Sequence, residues 1–277
     1  MSRAFIGISI GSGLEGIDAA LVRTGGVGLG LVPRPERTIR IPLSQAILAA
    51  FRSPSGTAPD LLRSIAESAV QAARSVAVQA GLSARDVFAA GFLDPAHHPE
   101  GIAISWCEVA GRIAESTGLT TVHGFRDRDR AAGGAGRPIT AVPDFLLYQN
   151  EREDRLLIHL GAMSSVLFIP ALAKISAIHG FEVGPGSHWL DAIQFHGSRG
   201  KEQSDFSGKT AVQGRCLEPL LMRWLEHPYF SREAPKAVPR ETFGRAFLHA
   251  SFEYARTLGA GLPDMLCTAN HLIARSI

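Results

Sequence analysis

Apolar residues fall first in two short runs, 4–10 and 17–22, on either side of Gly11-Ser12-Gly13-Leu14-Glu15-Gly16. Runs of that length around a glycine cluster predict two strands joined by a turn. The runs 27–32 and 38–41 extend this pair into an antiparallel meander. The spacing then becomes helical. Thr57 offers a cap, Leu61, Leu62, Ile65, Ala69, Ala72, Ala73 and Val76 recur on one face, and Gly81 is a stop. A buried strand is expected over 87–91 and a second amphipathic helix over 106–117, ended by Gly118. A strand over 119–123 would deliver a charged loop that begins at Phe125. A boundary falls near residues 138–143. Beyond it, 155–160 and 164–169 form a second strand pair around Gly161-Ala162-Met163, and helices are expected over 187–195, 217–226, 240–257 and 263–276. Two glycine-containing hairpins, each opening a half of the chain, suggest a duplicated α/β architecture with subdomains 1–140 and 141–277 around a cleft.

Composition narrows the class. At 277 residues, with 45% hydrophobic and 19% charged residues, the chain can bury two cores and reads as an ordinary soluble globular protein. The net charge of +2 comes without a basic stripe interleaved with aromatics, so nucleic acid is not an expected partner. Cys107, Cys216 and Cys267 have neither C-x-x-C nor zinc-ligand spacing and read as reduced thiols. The N-terminus lacks a long apolar region, and no segment approaches the roughly 20 apolar residues of a membrane span. The expected location is the cytoplasm, with no membrane partner.

Candidate chemistry concentrates in Phe125-Arg126-Asp127-Arg128-Asp129-Arg130-Ala131-Ala132-Gly133-Gly134-Ala135-Gly136-Arg137-Pro138. A carboxylate acting as a base toward water or a sugar hydroxyl needs fixed geometry, and flanking guanidinium groups position it and keep it ionised. The glycines let backbone N–H groups approach an anionic or hydroxylated ligand. The alternative is a solvated run of mutually neutralising charges. In the first hairpin, Gly11, Ser12, Gly13, Leu14, Glu15 and Gly16 could cradle a nucleotide phosphate, with Asp18 or Glu15 available to an outer-sphere Mg2+ ion. A plain hairpin explains the same residues. The segment 180–191 reads as a strand ending in a Pro-Gly turn, with Ser187 capping a helix. His97 and His98 have no third metal ligand at a useful spacing.

In order and content these segments resemble the anhydro-N-acetylmuramic acid kinase family. Phe125, Arg126, Asp129, Ala131, Ala132, Gly133, Gly134, Gly136 and Pro138 match D-F-R-x-x-D-x-A-A-G-G-x-G-A-P, with Gly124 in place of the first aspartate and Arg137 in place of a small residue. Gly11, Leu14, Gly16, Asp18, Ala19, Ala20 and Leu21 match the family's opening S-G-T-S-L-D-G-x-D-A-A-L. Gly180, Phe181, Gly184, Pro185, Gly186, Leu190 and Asp191 match G-F-D-T-G-P-G-N-x-L-x-D, with Glu182, Val183 and Ser187 substituted. Gly161 alone is kept from the G-G-I-A-N turn, and Gly91-Phe92-Leu93-Asp94 stands where the family has H-G-Q-T, leaving His97 as the nearby match. Pro228-Tyr229-Phe230, Pro235-Lys236 and the helix that ends the chain extend the similarity nearly end to end.

The resemblance implies an actin-like, ribonuclease-H-like duplicated α/β fold whose second half is incomplete. The chain ends at Ile277, where the family continues into a G-G-G-A-x-N adenosine-binding segment. It also implies conversion of 1,6-anhydro-N-acetylmuramic acid, ATP and water to N-acetylmuramic acid 6-phosphate and ADP, with Mg2+ as cofactor. Asp129 would be the base. Gly11 to Gly16, Asp18, Gly161 and Ala162 would contact nucleotide, and His97, Arg126, Glu182, Gly184, Pro185 and Gly186 the amino sugar. A homodimer is a further expected partner. Two other readings stay open: a degenerate relative that binds a muropeptide sugar or a partner without phosphorylating it, and a kinase of another small sugar.

Overall fold

The computed structural model describes residues 2–11, 16–52, 58–95, 105–239 and 242–277. The chain divides into two compact units, Met1–Tyr148 and Gln149–Ile277.

The first unit is built on a five-stranded sheet. Its strands are β1 (Arg3–Ile10), β2 (Gly16–Gly25), β3 (Val32–Pro42), β4 (Val87–Leu93) and β5 (Thr121–Val122), in the order β3-β2-β1-β4-β5. β2 lies antiparallel to β1 and β3 antiparallel to β2, whereas β4 is parallel to β1 and β5 to β4. This is the ribonuclease-H-like arrangement. The run 27–32, expected as strand, holds a short 3-10 turn over Gly28–Gly30, and β3 begins only at Val32, running continuously to Pro42 through the expected 38–41. Its three prolines, Pro33, Pro35 and Pro42, are accommodated because β3 is the outer strand of the sheet, with a register slip at Leu21/Val22 beside Pro35.

Helices α1 (Gln45–Arg52) and α2 (Ala58–Gln79) lie between β3 and β4, and α3 (Trp106–Thr117) between β4 and β5. On β1 the buried positions alternate as Ala4, Ile6, Ile8 and Ile10, each no more than 3% exposed. α2 packs on β1, β2 and β3, bringing Leu61, Leu62, Ile65 and Val76 to the sheet, while Ala69, Ala72 and Ala73 keep it close. α3 lies against α2 through Val109, Ala110 and Ile113, all buried. The Ser105 side chain accepts from the Glu108 amide at the start of α3, and Gly118 ends the helix in the left-handed region, as expected from the sequence. Thr57, expected to cap α2, lies outside the described residues. Two further helices, α4 (Phe125–Ala131) and α5 (Ala141–Tyr148), complete the unit. α5 packs on β3 and buries Asp144 and Phe145; Pro143 sits in its first turn, where no N–H is required.

The second unit opens on another antiparallel meander: β6 (Arg155–Leu160), β7 (Met163–Ile169) and β8 (His179–Pro185), in that order. Then come α6 (Ser187–Gly197), α7 (Glu218–Leu225), α8 (Arg245–Thr257) and α9 (Leu262–Ser276). Their core holds Trp189, Ile193, Leu220, Leu221, Trp224, Met265, Leu266, Ala269 and Leu272. The Trp189 and Trp224 rings meet edge to face, centroids 5.8 Å apart. α8 starts later than the expected residue 240 because Phe243 is buried with Tyr229 and Val238 in a satellite cluster, and Gly244 is the cap. No described helix is long and apolar enough to cross a membrane.

One buried hydrogen bond specifies how α7 and α8 meet. Trp224 Nε1 donates to Ser251 Oγ at 2.9 Å, and Ser251 Oγ donates to the Phe247 carbonyl at 2.7 Å. Ser251→Ala leaves the Trp224 N–H unsatisfied in the core. The expected loss is about 1–3 kcal/mol, read as a lower urea midpoint by tryptophan fluorescence; an unchanged midpoint would refute the bond.

Candidate functional site

Because β1, β4 and β5 are parallel, their C-terminal ends share one edge of the first sheet, the edge at which open α/β sheets present ligand-binding groups. β1 ends there just before Gly11, β4 just before the buried Asp94, and β5 hands the chain through Gly124 into α4. Ser12, Gly13, Leu14 and Glu15 lie outside the described residues, as does His97.

The charged segment expected as a loop is a helix. Gly124, at φ +72°, turns the chain, and the Arg128 amide donates to its carbonyl at 2.9 Å, closing the first turn. Phe125 packs its ring beside Gly91 of β4, where a Cβ would stand 3.5 Å from it. From Phe125 to Ala132 no glycine or proline interrupts the helix. Arg130 pairs with Asp127 one turn back at 2.5 Å, an exposed pair worth at most about 0.5 kcal/mol.

This helix aims Asp129 into the glycine turn that follows. Asp129 Oδ2 accepts the Gly136 amide at 2.6 Å, and the Asp129 carbonyl accepts the Gly134 amide at 2.9 Å. At Gly134 a Cβ would lie 2.2 Å from Oδ2, so the carboxylate occupies the space that a side chain would need. The residue is half-buried, and Gly136 is buried. Sequence reading expected flanking arginines to hold Asp129. The structure gives the described contacts to backbone instead: Arg126 Nη1 donates to the Gly136 carbonyl at 2.9 Å, and its Nε lies 3.4 Å from the Asp94 carbonyl.

Asp18, on β2, has both oxygens engaged by one guanidinium from β3. Arg40 Nε donates to Oδ1 at 2.7 Å and Nη2 to Oδ2 at 2.9 Å. The bidentate pair borders a hollow on the sheet lined by Gly7, Ser9, Ala20 and Thr38. Both Asp18 oxygens are therefore paired at the sheet surface, and an outer-sphere Mg2+ ion would share this carboxylate with Arg40. Among the described residues no group of three His, Cys, Asp or Glu side chains is arranged to hold a metal ion.

In the second unit the structure brings together two turns that sequence reading had assigned to different ligands. The Gly161 carbonyl accepts the Ser187 amide at 2.9 Å, and the Ala162 carbonyl accepts the amides of Gly186 at 3.0 Å and His188 at 3.3 Å. The β6–β7 turn therefore caps α6. Gly186, not Ser187, is the cap residue, and no side chain serves it. A Cβ on Gly186 would stand 2.1 Å from the Gly161 oxygen, so only glycine allows the approach. Ser164 Oγ donates to the Pro185 carbonyl at 3.2 Å, and Gly184 is buried against Ser276 of α9.

Glu182, expected to face sugar, is only 5% exposed and fastens the segment 229–238 to β8. Its Oε2 accepts the Val238 amide at 2.6 Å, its amide donates to the Lys236 carbonyl at 3.0 Å, and its carbonyl accepts the Tyr229 hydroxyl at 2.6 Å. Lys236 Nζ donates to the Tyr229 and Phe230 carbonyls; desolvation, with Arg232 nearby, lowers its pKa. Sequence reading missed Asp94, Arg40 and the specific role of Gly134. Only Gly134 left a signal, as one glycine of the run five residues after Asp129.

The model of the family described as anhydro-N-acetylmuramic acid kinase matches residues 3–277. A relative of that name from Cyanothece sp. (strain PCC 7425 / ATCC 29141) is 30% identical over 98% of this chain and 75% of its own length. One from Trichormus variabilis (strain ATCC 29413 / PCC 7937) is 32% identical over 98% and 74%. A third, from Acidithiobacillus ferrooxidans (strain ATCC 23270 / DSM 14882 / CIP 104768 / NCIMB 8455), is 37% identical over 61% of this chain and 42% of its own length. The match runs through both units and both glycine turns, and the chain belongs to the anhydro-N-acetylmuramic acid kinase family.

Proposed function

We propose that this protein is an ATP-dependent kinase of 1,6-anhydro-N-acetylmuramic acid, acting in the cytoplasm on sugar released from cell-wall turnover. The observation that carries the reading is the Asp129 carboxylate, fixed by the Gly136 amide in a turn that Gly134 keeps open, at the edge where β1, β4 and β5 end. Family membership supplies the substrates.

Asp129 takes a proton from the water that attacks C1 of the anhydro sugar. The C1–O6 bond breaks, and O6 accepts the γ-phosphoryl group, releasing ADP. With Oδ2 held by the Gly136 amide, Oδ1 is the oxygen that receives the proton. The turn after β1, residues 11–16, is the proposed phosphate contact, because backbone amides at a glycine turn approach phosphate closely. Mg2+ would arrive on the nucleotide phosphates, with the Asp18 carboxylate, paired to Arg40, as an outer-sphere contact.

Asp129→Asn keeps the shape of the side chain and the acceptor for Gly136 but removes the base. The expected result is a fall in kcat of about 10²–10⁴ with an unchanged melting temperature, measured as sugar-dependent ADP formation. Undiminished turnover in the variant refutes the assignment. Gly134→Ala probes the geometry alone: its Cβ must push the carboxylate away, and a displacement of about 1 Å is expected to cost about 10²-fold in kcat. Wild-type kcat in Gly134→Ala would show that the carboxylate is not confined by this turn.

A further inference from the structure

Arg126 has a place in this site that its position in the sequence does not announce. It precedes Asp129 by one helical turn, so both side chains leave the same face of α4. Its guanidinium extends past the end of β4 and contacts two backbone carbonyls, Asp94 through Nε and Gly136 through Nη1. Those carbonyls belong to different segments, the strand end and the glycine turn.

Gly136 joins the two halves of the arrangement. Its carbonyl receives Arg126 and its amide donates to Asp129 Oδ2. The turn leading into it, Gly133-Gly134-Ala135-Gly136, contains three glycines and carries large backbone freedom when nothing restrains it. Gly136 itself sits at φ +74° and is buried, with Arg130 Nη1 only 2.8 Å from where a Cβ would stand. A planar fork that spans both carbonyls ties the turn to the sheet. Lysine, a point donor on a flexible stem, does not reproduce that bridge.

We propose that Arg126 is a positioning residue for Asp129: it holds the Gly136 peptide, which holds the carboxylate. The proposal rests on the reading of Asp129 as the base and assigns Arg126 a task other than sugar contact.

A substrate contact and a positioning residue separate in kinetics. Under the proposal, Arg126→Ala lowers kcat by about 10–10²-fold while KM for sugar and for ATP stay within about threefold. Arg126→Lys gives an intermediate kcat, and added guanidinium salt at millimolar concentration restores part of the Arg126→Ala rate. A raised KM for the sugar with kcat retained overturns the proposal. Amide hydrogen exchange at Gly136 provides the readout that does not depend on turnover: protection is expected in the wild type, lost in Arg126→Ala and weakened in the folded Arg126→Lys protein. Unchanged protection in both variants also overturns it. A wild-type protein that forms no ADP with the anhydro sugar would count against the proposed reaction, and the exchange result would still decide whether Arg126 holds the turn.

Discussion

The pairing of β1 with β4 is the constraint on which the first unit depends. β1 is the strand whose two edges take opposite partners, β2 antiparallel and β4 parallel. The antiparallel edge needs only a short connection between Ile10 and its partner Ile17. The parallel edge demands a crossover, within which α2 lays its apolar face over Ile6, Ile8 and Ile10. Each such side chain contributes about 1.5–3 kcal/mol by leaving water. The same parallel register brings the end of β4 beside the end of β1. Asp94 is then placed for Arg126 to reach, and Gly91 makes room for the Phe125 ring. The site geometry therefore follows from strand direction before any catalytic side chain is considered.

The second unit repeats the meander under different cover. Leu156, Ile158 and Leu160 precede their turn as Ile6, Ile8 and Ile10 precede theirs, yet they are 59%, 46% and 68% exposed where the first set is almost fully buried. Among the described residues β6 pairs with β7 alone. The helices of this unit instead gather around Trp189 and Trp224, and α9 covers β8 rather than β6. An alternating apolar pattern thus records a strand's capacity to be buried. Burial itself is decided by which helices the rest of the chain can bring.

That distinction marks what could be read from the sequence. The strands 4–10 and 155–160 were legible from their apolar runs beside glycine turns, and the helix 106–117 because its periodicity and a stopping glycine agreed. α4 was not. Its seven residues carry three arginines and two aspartates and no apolar period, and its helicity depends on the left-handed turn at Gly124 and on Phe125 docking against a distant glycine. α5 was hidden by a proline that reads as a break but is harmless in a first turn. Arg40 gave no signal, since its partner is set by the β2–β3 register that places it opposite Asp18. The motif residues 161–162 and 184–186 were visible as glycine turns, yet their mutual packing depends on the β7–β8 pairing of Met163 with Pro185.

Asp18, Asp129 and Glu182 show how far environment separates residues of one chemistry. Asp18 meets a guanidinium with both oxygens, which cancels its charge at the sheet surface. Glu182 is buried, and its carboxylate receives the backbone N–H of Val238, so its charge is spent fastening one segment to another. Asp129 receives a backbone N–H as well, but on a half-buried residue at a strand-end edge and within a turn that excludes side chains. A hydrogen bond from an amide orients a carboxylate without neutralising it, whereas a bidentate arginine does both. Of the three, Asp129 alone combines a fixed direction with an uncancelled charge on a surface that a ligand can approach. The direction of this carboxylate therefore rests on which donor the fold supplies, and that donor is delivered by the glycines after α4.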